Sequence, residues 1–456
     1  MEAKQMQKAE LLAELALTRR RTRELITSLD EQQLDVPYHP GVNPPLWEMG
    51  HAAFFYEVFV FSLLDGDASF DPSMDHLWDS FHIDHQDRWR RDLFPGLEKT
   101  LAYFDHVYAK MAERIERTPL TDRELYLCRY AIYHQNMHIE SLVWCRQTVG
   151  FAPPPGASFE RPAPSELRGS SLDDDAVVPA GDWLIGMPGD SEQYAAEDFA
   201  FDAEKPRHAV SLNEFAISRC LVSNHEFMAF VEDGGYQKPE LWSFGGQKWL
   251  RTDIDMALVH GEANPLLMKP QHPVYWRPQD GQWQEKLFDQ WQSLSPDAPV
   301  THVSFWEAEA YCCWAGRRLP TEQEWEVAAL GNRKGETFQR YPWGNELPDA
   351  VRADMNATGM AQNPVSDYTA GDSPFGCRQM IGSVWEWTSS QFFPYDGFCI
   401  DMYPFMSSLQ FGDHKVSRGG SCATSFSLIR GTYRQAYLPQ RNDVYTGFRT
   451  CALSVG

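Results

Sequence analysis

Apolar residues recur at helical spacing through the first 150 positions. The pattern predicts four helices, over residues 5–30, 44–64, 95–117 and 121–149. Thr121 and Glu124 have the spacing of a capping box at the start of the last helix, and Gly150 is a residue type that ends one. Asn43 and Pro44 indicate the start of the second helix, with Asn43 as its N-cap. Four helices of this length favour a four-helix bundle.

The pattern changes after residue 152. Residues 153–176 are rich in proline, glycine, serine and acidic residues and have no apolar period, which is typical of a linker. Beyond it, short β-type runs alternate with irregular loops and two or three helices. Two of these helices begin with capping boxes, Ser304 with Glu307 and Thr321 with Glu324. We therefore expect two domains, an all-α bundle over 1–152 and an α+β domain over 177–456.

The composition excludes several classes of partner. The chain has 64 acidic and 40 basic residues and a formal net charge of -24, which repels nucleic-acid phosphates and anionic membrane surfaces. The longest apolar run, HAAFFYEVFVFSLL, is interrupted by Glu57 and is too short to span a bilayer. We therefore expect small-molecule substrates, and neither nucleic acid nor a membrane as a partner.

Cysteine usage and the amino-terminal segment indicate the compartment. The nine cysteines are scattered and contain no C-x-x-C pair, which argues against a disulfide framework. The segment MEAKQMQKAELLAELALTRRRTREL is charged and helical, with neither an apolar stretch nor a small-residue cleavage site. We expect a cytoplasmic protein.

Three histidines are candidate metal ligands. His134 and His138, in YHQNMHIES, are four residues apart on the last predicted helix, so their rings face one point. A surface or core pair is the alternative, because a chain with 14 histidines contains such a spacing by chance. His51 lies among apolar residues in PPLWEMGHAAFF, and a buried imidazole needs a partner. If the two helices are neighbours, three imidazoles converge on a site for Zn, Fe, Cu or Ni with open coordination positions.

Charged residues near these histidines are candidates for supporting roles. Glu140 follows His138 by two residues and so points away from the ligand face, where we expect it to support the site rather than bind the metal. A guanidinium group matches a substrate carboxylate bidentately. The arginines considered for that role are Arg88, Arg90, Arg91, Arg434 and Arg441. Surface ion pairs are the alternative, because arginine clusters in an acidic protein commonly form them.

Motifs in both halves resemble known families. The carboxyl-terminal half contains GRRLPTEQEWEVAA, YPWGNE, GCRQMIGSVWEWTSS, SRGGSCAT and GFRTC, in the order found in formylglycine-generating enzymes, whose domain is C-type-lectin-like. WEMGH and YHQNMHIE resemble the three-histidine site of DinB-type four-helix bundles. A DinB-like bundle followed by a formylglycine-generating-enzyme-like domain is similar to the ergothioneine sulfoxide synthases and the related selenoneine synthases.

The resemblance implies a chemistry and a set of site residues. Members of that family bind Fe(II) through three histidines, here His51, His134 and His138, and use O2 to join a sulfur or selenium donor to the imidazole C2 of hercynine (Nα-trimethylhistidine). Tyr403 matches a tyrosine near the iron that donates a proton or an electron. The residues implied to bind substrate are Arg88, Arg90, Met137, Gln435, Tyr437 and Arg441.

Departures from the family patterns narrow the expected activity. Thr424 and Ile429 stand where formylglycine-generating enzymes carry two copper-binding cysteines, so that activity is not expected. Tyr437 stands where synthases that take γ-glutamylcysteine have an acidic residue, and Met137 where they have glutamine. We therefore expect a selenosugar or a cysteine-type thiol as the donor. HIDHQDRW, FGDHKVSRGG and RNDVYTGFRTCAL slightly favour the selenoneine branch.

Two other functions remain open on the sequence. A zinc-dependent DinB-type thiol transferase or hydrolase is the first, because three-histidine bundles also serve such enzymes and sequence does not distinguish Fe from Zn. A non-catalytic binding module is the second, because the lectin-like half offers a precedent.

Overall fold

The computed structural model describes residues 2–117, 119–159, 174–187, 199–251, 270–403 and 407–454. The chain forms two compact units: Met1–Ala157 with Gly189–Phe201, and Ser158–Pro188 with Asp202–Gly456. The predicted linker lies largely outside the described residues, because its positions 160–173 are not among them. Residues 199–201 are grouped with the first unit, whereas the predicted division placed them in the second domain.

The first unit is built on four long helices among its described residues. They are α1 (Glu2–Thr27), α2 (Pro45–Tyr56), α3 (Leu97–Arg117) and α4 (Asp122–Val149). This confirms the predicted helical bundle. The capping box of Thr121 and Glu124 is present, and Gly150 ends α4 in the left-handed conformation with a φ of 73°.

The second helix differs from its prediction at both ends. Its N-cap is Pro44, without a side-chain cap, so the prediction of Asn43 as the N-cap is wrong. The Asn43 side chain is instead bonded to Glu48 and Arg88. After Tyr56 the chain continues as a π-helix over Glu57–Ser62 and then as an α-helical turn over Leu63–Asp65.

All twelve residues of α2 are buried. The helix packs against α1, α3 and α4, and a helix that is buried on every side is the central element of its domain. Its polar side chains therefore need partners inside the bundle, since a buried polar group without a hydrogen bond is costly. Glu48 and His51 are two such residues.

Residues 199–201 join the first unit through aromatic packing on α4. The ring of Phe199 stacks on Tyr126 with centroids 4.9 Å apart, and that of Phe201 meets Tyr130 edge-on at 5.0 Å. The Tyr126 hydroxyl donates a hydrogen bond to the Ala200 carbonyl at 3.0 Å. These contacts explain why the segment belongs to the first unit although it follows the predicted linker.

The second unit is α+β, as predicted. Its described strands are β1 (Asp175–Val178), β2 (Gly181–Ile185), β3 (His208–Leu212), β4 (Phe215–Ser218), β5 (Trp276–Gln279), β6 (Gln282–Leu287), β7 (Gln290–Ser293), β8 (Arg317–Arg318), β9 (Trp385–Gln391), β10 (Lys415–Arg418), β11 (Gln435–Tyr437), β12 (Thr446–Gly447) and β13 (Cys451–Ala452). They form two four-stranded sheets, in the orders β1-β4-β13-β8 and β11-β10-β9-β12, with a β2-β3 hairpin and a β5-β6-β7 meander. In the second of the four-stranded sheets, β9 pairs antiparallel with β10 and parallel with β12.

Three α-helices that begin and end within the described residues of the unit accompany these sheets. They are α5 (Asn224–Glu232), α6 (Phe305–Trp314) and α7 (Glu322–Leu330). The predicted capping boxes at Ser304 and Thr321 are both present, and a third, formed by Ser223 and Glu226, begins α5.

The side chains of α7 pack into the core of the second unit, where Trp325 is fully buried. All nine cysteines are free thiols. Among the described residues, no helix combines the length and apolarity needed to cross a membrane.

Candidate metal centre

Three imidazole rings meet between α2 and α4. His51 comes from α2, and His134 and His138 come from successive turns of α4. The ring centroids are 5.3 Å apart for His51 and His134, 5.0 Å for His51 and His138, and 4.5 Å for His134 and His138. One ring nitrogen from each residue lies within 4.8 Å of the others. The structure thus brings together the three histidines that the sequence selected.

Hydrogen bonds fix the orientation of two of the rings. The Nδ1 atom of His51 lies 2.7 Å from the carbonyl oxygen of Trp78, which only accepts, so Nδ1 carries the proton. The Nδ1 atom of His138 donates to a carboxylate oxygen of Glu48. Both rings therefore keep the Nε2 lone pair for a metal ion.

The facing nitrogens have a spacing that suits one ion. The Nε2 atoms of His134 and His138 are 3.2 Å apart. Two nitrogens bound to one ion at about 2.1 Å, with an angle of about 90 to 110°, lie roughly 3.0 to 3.4 Å apart. The donor set and its spacing therefore fit a first-row transition metal with three nitrogen ligands.

Burial disfavours the charged form of two of the imidazoles, those of His51 and His134. It lowers the pKa of His51 to about 3, because the charged imidazolium loses its hydration and is repelled by His138. Burial likewise places the pKa of His134 well below its usual value. Neutral imidazoles are the form that binds metal ions, so both residues are competent ligands at neutral pH.

The motif WEMGH is explained residue by residue around His51. The indole ring of Trp47 stacks on the imidazole of His51, with centroids 4.7 Å apart and an interplanar angle of 7°. A Cβ atom at Gly50 would lie 2.3 Å from the ring of Trp78. Only glycine therefore lets Trp78 approach α2 closely enough for its carbonyl to accept the His51 hydrogen bond.

Glu48 contacts one of the three histidines, and the sequence analysis did not select it. One of its carboxylate oxygens accepts from His138, and the other accepts from Ser141 at 2.7 Å and from Asn43 at 2.8 Å. Burial raises the pKa of Glu48, but the adjacent His138 and the three hydrogen bonds outweigh it and lower the pKa to about 2. Glu140, which the sequence suggested for a supporting role, is buried on α4.

The predicted arginines near the bundle have different environments. The guanidinium group of Arg88 donates to Asn43 Oδ1 at 2.8 Å and lies 3.9 Å from the centre of the Trp47 indole ring. Arg90 forms a surface ion pair with Asp92. Met137 is half-buried on α4, next to His138. Of these three, Arg88 has hydrogen bonds or ring contacts that lead to the histidine ligands.

The predicted residues of the second unit form their own local contacts. Tyr403 is 5% exposed. Gln435 and Tyr437 lie on β11, where Gln435 pairs with Ser417 of β10. Arg441 forms a bidentate ion pair with Asp443, with nitrogen to oxygen distances of 2.5 and 2.7 Å.

Arg434, a candidate for binding a substrate carboxylate, has a structural role instead. Its fully buried guanidinium group donates to both carboxylate oxygens of Glu322, at 2.8 and 2.9 Å. It also donates to the backbone carbonyls of Ala203 and Phe393. These partners hold Arg434 within the core of the second unit.

Comparisons with known proteins connect both halves to described families. Residues 160–453 match the model of the sulfatase-modifying factor enzyme 1-like domain, and residues 14–142 match that of the DinB superfamily. Over 451 residues, 96% of this chain and 97% of the relative, the chain is 33% identical to the hercynine oxygenase of Mycolicibacterium smegmatis. The chain belongs to the hercynine oxygenase family. This family is of the ergothioneine sulfoxide synthase type that the sequence motifs resemble.

Other relatives divide between the whole chain and its second half. The hercynine oxygenase of Mycobacterium tuberculosis is 31% identical over 445 residues, which cover 96% of this chain and 98% of that protein. The formylglycine-generating enzyme of Thermomonospora curvata is 32% identical over 298 residues, which cover 59% of this chain and 93% of that enzyme. All three histidines fall within the DinB match of this hercynine oxygenase family member.

Proposed function

We propose that the protein is a non-heme Fe(II)- and O2-dependent synthase that forms a C–Se or C–S bond at the imidazole C2 of hercynine. The observation that carries the proposal is the convergence of three imidazoles, two of which have pKa values lowered by burial. They lie in a chain that aligns over 96% of its length with a hercynine oxygenase.

Iron is the metal that accounts for an oxygenase. Zinc has no redox chemistry and so does not reduce O2, whereas Fe(II) bound by three nitrogen ligands does so and keeps open coordination positions. His51, His134 and His138 would hold the ion through their Nε2 atoms, and the metal would supply the electrons for O2 and a common site for the reacting atoms.

The chain's own residues orient the ligands and exclude water. Trp47 and Phe55 cover two of the rings, with Phe55 stacked on His134 at 3.7 Å and Trp47 on His51 at 4.7 Å. Glu48 holds the Nδ1 proton of His138, and the Trp78 carbonyl holds that of His51. The ligand set is therefore fixed before substrate arrives, which lowers the entropic cost of assembling the site.

Residues of the second unit are proposed to complete the reaction. Tyr403 would donate its phenolic proton, or a proton with an electron, during bond formation. Gln435, Tyr437 and Arg441 would contact substrate, as would Arg90 and Met137 of the first unit. The trimethylammonium group of hercynine requires aromatic faces or a carboxylate, because cation–π contact contributes roughly 0.5 to 2 kcal/mol depending on burial.

The donor is proposed to be a selenosugar or a cysteine-type thiol. Tyr437 supports this, because it replaces the acidic residue that synthases using γ-glutamylcysteine are expected to carry. A cytoplasmic location is proposed for the same enzyme, since its nine free thiols suit a reducing compartment.

One parallel assay tests both donor and reaction. The metal-free protein would be loaded anaerobically with Fe(II), exposed to air with hercynine, and given cysteine, γ-glutamylcysteine or a selenosugar in separate reactions. Mass spectrometry would identify the products. We expect an O2-dependent adduct with the selenosugar or cysteine. No hercynine adduct with any donor, together with thiol transfer or hydrolysis by the Zn(II)-loaded protein, would favour the zinc-dependent alternative.

A further inference from the structure

Arg88 contacts two residues, Asn43 and Trp47, that lie next to the candidate metal centre. Its Nη1 atom donates to Asn43 Oδ1 at 2.8 Å, and its guanidinium carbon lies 3.9 Å from the centre of the Trp47 ring. The residue sits in a short 3-10 turn, His85–Trp89. Each contact leads through one or two further residues to a histidine ligand.

The first path runs through an amide whose orientation Arg88 determines. Asn43 donates from Nδ2 to Glu48 Oε1 at 2.8 Å. Because a guanidinium group only donates, it must face the amide oxygen, and this leaves the amide nitrogen toward Glu48. A reversed amide would place two donors against each other at Arg88 and two acceptors against each other at Glu48.

The orientation of Asn43 affects His138 through the Glu48 carboxylate. Oε1 of Glu48 receives Asn43 and Ser141, and Oε2 receives the Nδ1 proton of His138. The three donors hold the Glu48 carboxylate in one position and favour its ionised form. The His138 imidazole therefore faces a fixed acceptor. Hydrogen bonds of this kind set the orientation and basicity of a metal-binding histidine.

The second path runs through the indole ring. Trp47 stacks on His51 at 4.7 Å and is itself fixed by a hydrogen bond from Nε1 to the Leu77 carbonyl at 2.9 Å. The cation–π contact of Arg88 with this ring adds a further restraint on its position. The plane of the His51 imidazole follows the plane of the indole.

We infer that Arg88 is a positioning residue of the metal centre, which acts on His138 through Asn43 and Glu48 and on His51 through Trp47. This role requires no substrate, in contrast to the carboxylate clamp that the sequence suggests for Arg88. The inference rests on the proposed function in one respect only, that the three histidines hold a metal ion.

The test measures metal affinity without substrate. Co(II) would be titrated into metal-free protein against a competing chelator, and its visible ligand-field spectrum recorded. We expect Arg88→Met to weaken Co(II) binding about 10-fold and to change the spectrum, because loss of a hydrogen-bond partner behind a ligand typically weakens binding by about 10- to 100-fold. Arg20→Met is the matched control, since Arg20 is an exposed bundle arginine near Glu24.

A double-mutant cycle tests the path through Asn43. If Arg88 acts through the amide, the combined effect of Arg88→Met and Asn43→Leu is smaller than the product of the two single effects. Arg88→Lys keeps the charge and loses the planar donor, so we expect it to weaken Co(II) binding as well, and it replaces Arg88→Met if that variant does not fold.

The outcomes separate this inference from the proposed function. Wild-type affinity and spectrum in the Arg88 variants would overturn the positioning role while leaving the metal centre in place. Effects that multiply fully with Asn43→Leu would overturn the path through Asn43. A wild-type protein that takes up neither Co(II) nor Fe(II) would overturn the proposed function and this inference with it.

Discussion

Glu48 on α2 accepts a hydrogen bond from Nδ1 of His138 on α4, and this contact joins the two helices that carry the candidate metal ligands. The carboxylate is buried and is also bonded to Asn43 and Ser141. A buried carboxylate in an otherwise apolar helix is costly unless it is fully paired. Its presence three residues before His51 is therefore explained by its contact with another ligand.

Glu48→Gln should weaken metal binding without unfolding the bundle. The amide oxygen can still accept a hydrogen bond from His138, but the side chain has no charge. Its NH2 group then faces Asn43 and Ser141, which are themselves donors. We expect a loss in Fe(II) or Co(II) affinity of about 10- to 100-fold, measured by chelator competition. Glu140→Gln is the control, and equal losses in both variants would contradict the assignment of Glu48.

The Gly50→Ala variant tests whether close packing against Trp78 outweighs the higher helix propensity of alanine. Alanine is the better helix former by about 1 kcal/mol, but its Cβ would lie 2.3 Å from Trp78. Overpacking of this kind costs about 1 to 3 kcal/mol, so we expect a lower free energy of unfolding in urea and weaker metal binding. At Gly96, which precedes the first residue of α3, nothing lies within 4 Å of an added Cβ. Gly96→Ala therefore introduces no overlap and should cost only about 0.5 to 1 kcal/mol through its N-cap position. A stabilised Gly50→Ala variant would show that Trp78 moves aside freely.

His302 should make the metal-free protein less stable in acid. Burial lowers the pKa of His302 from 6.5 to about 4, so the unfolded chain takes up a proton at a higher pH than the folded one. The stabilising contribution of neutral His302 is therefore fully present above pH 6.5. It is lost as the pH falls toward 4, which lowers the free energy of unfolding by up to about 3 kcal/mol.

His302→Asn provides the comparison for that pH dependence. Residue 302 has a φ of 60°, a conformation that asparagine tolerates better than most residues. Urea denaturation of both proteins at several pH values would give the difference in unfolding free energy. We expect the difference to depend on pH between 6.5 and 4, and a constant difference would contradict the lowered pKa of His302.

Tyr403→Phe tests the proposed proton donor. Removal of the hydroxyl should leave metal content and hercynine binding unchanged while it diverts turnover away from the C–S or C–Se adduct. Product analysis by mass spectrometry after aerobic reaction provides the measurement. Unchanged product formation would exclude the phenolic group from the reaction.

Local signals made the helical elements predictable, whereas long-range contacts did not appear in the sequence pattern. The ends of α4 follow from Thr121, Glu124 and Gly150, because caps depend on neighbouring residues. The N-cap prediction for Asn43 failed because its side chain is bonded to Arg88, which is 45 positions away.

The three candidate metal ligands could be predicted from spacing, whereas the residues that contact them could not. His134 and His138 share a face by their separation of four residues, and His51 is conspicuous among apolar neighbours. Glu48 offers only a weak signal, an acid one turn before His51 on a buried helix, and its partner His138 is 90 positions away. The segment that ends at Phe201 could be assigned to the first unit only from its packing on α4.

The most direct test of the account is hercynine-dependent O2 consumption by protein of known metal content. Metal-free wild-type protein and the His134→Ala variant would each be loaded with Fe(II) or Zn(II), assayed for bound metal, and placed in an oxygen electrode with hercynine and donor. The account predicts O2 uptake by iron-loaded wild type alone, in proportion to its iron content. Equal uptake by the His134→Ala variant, or full activity in protein free of iron, would contradict it.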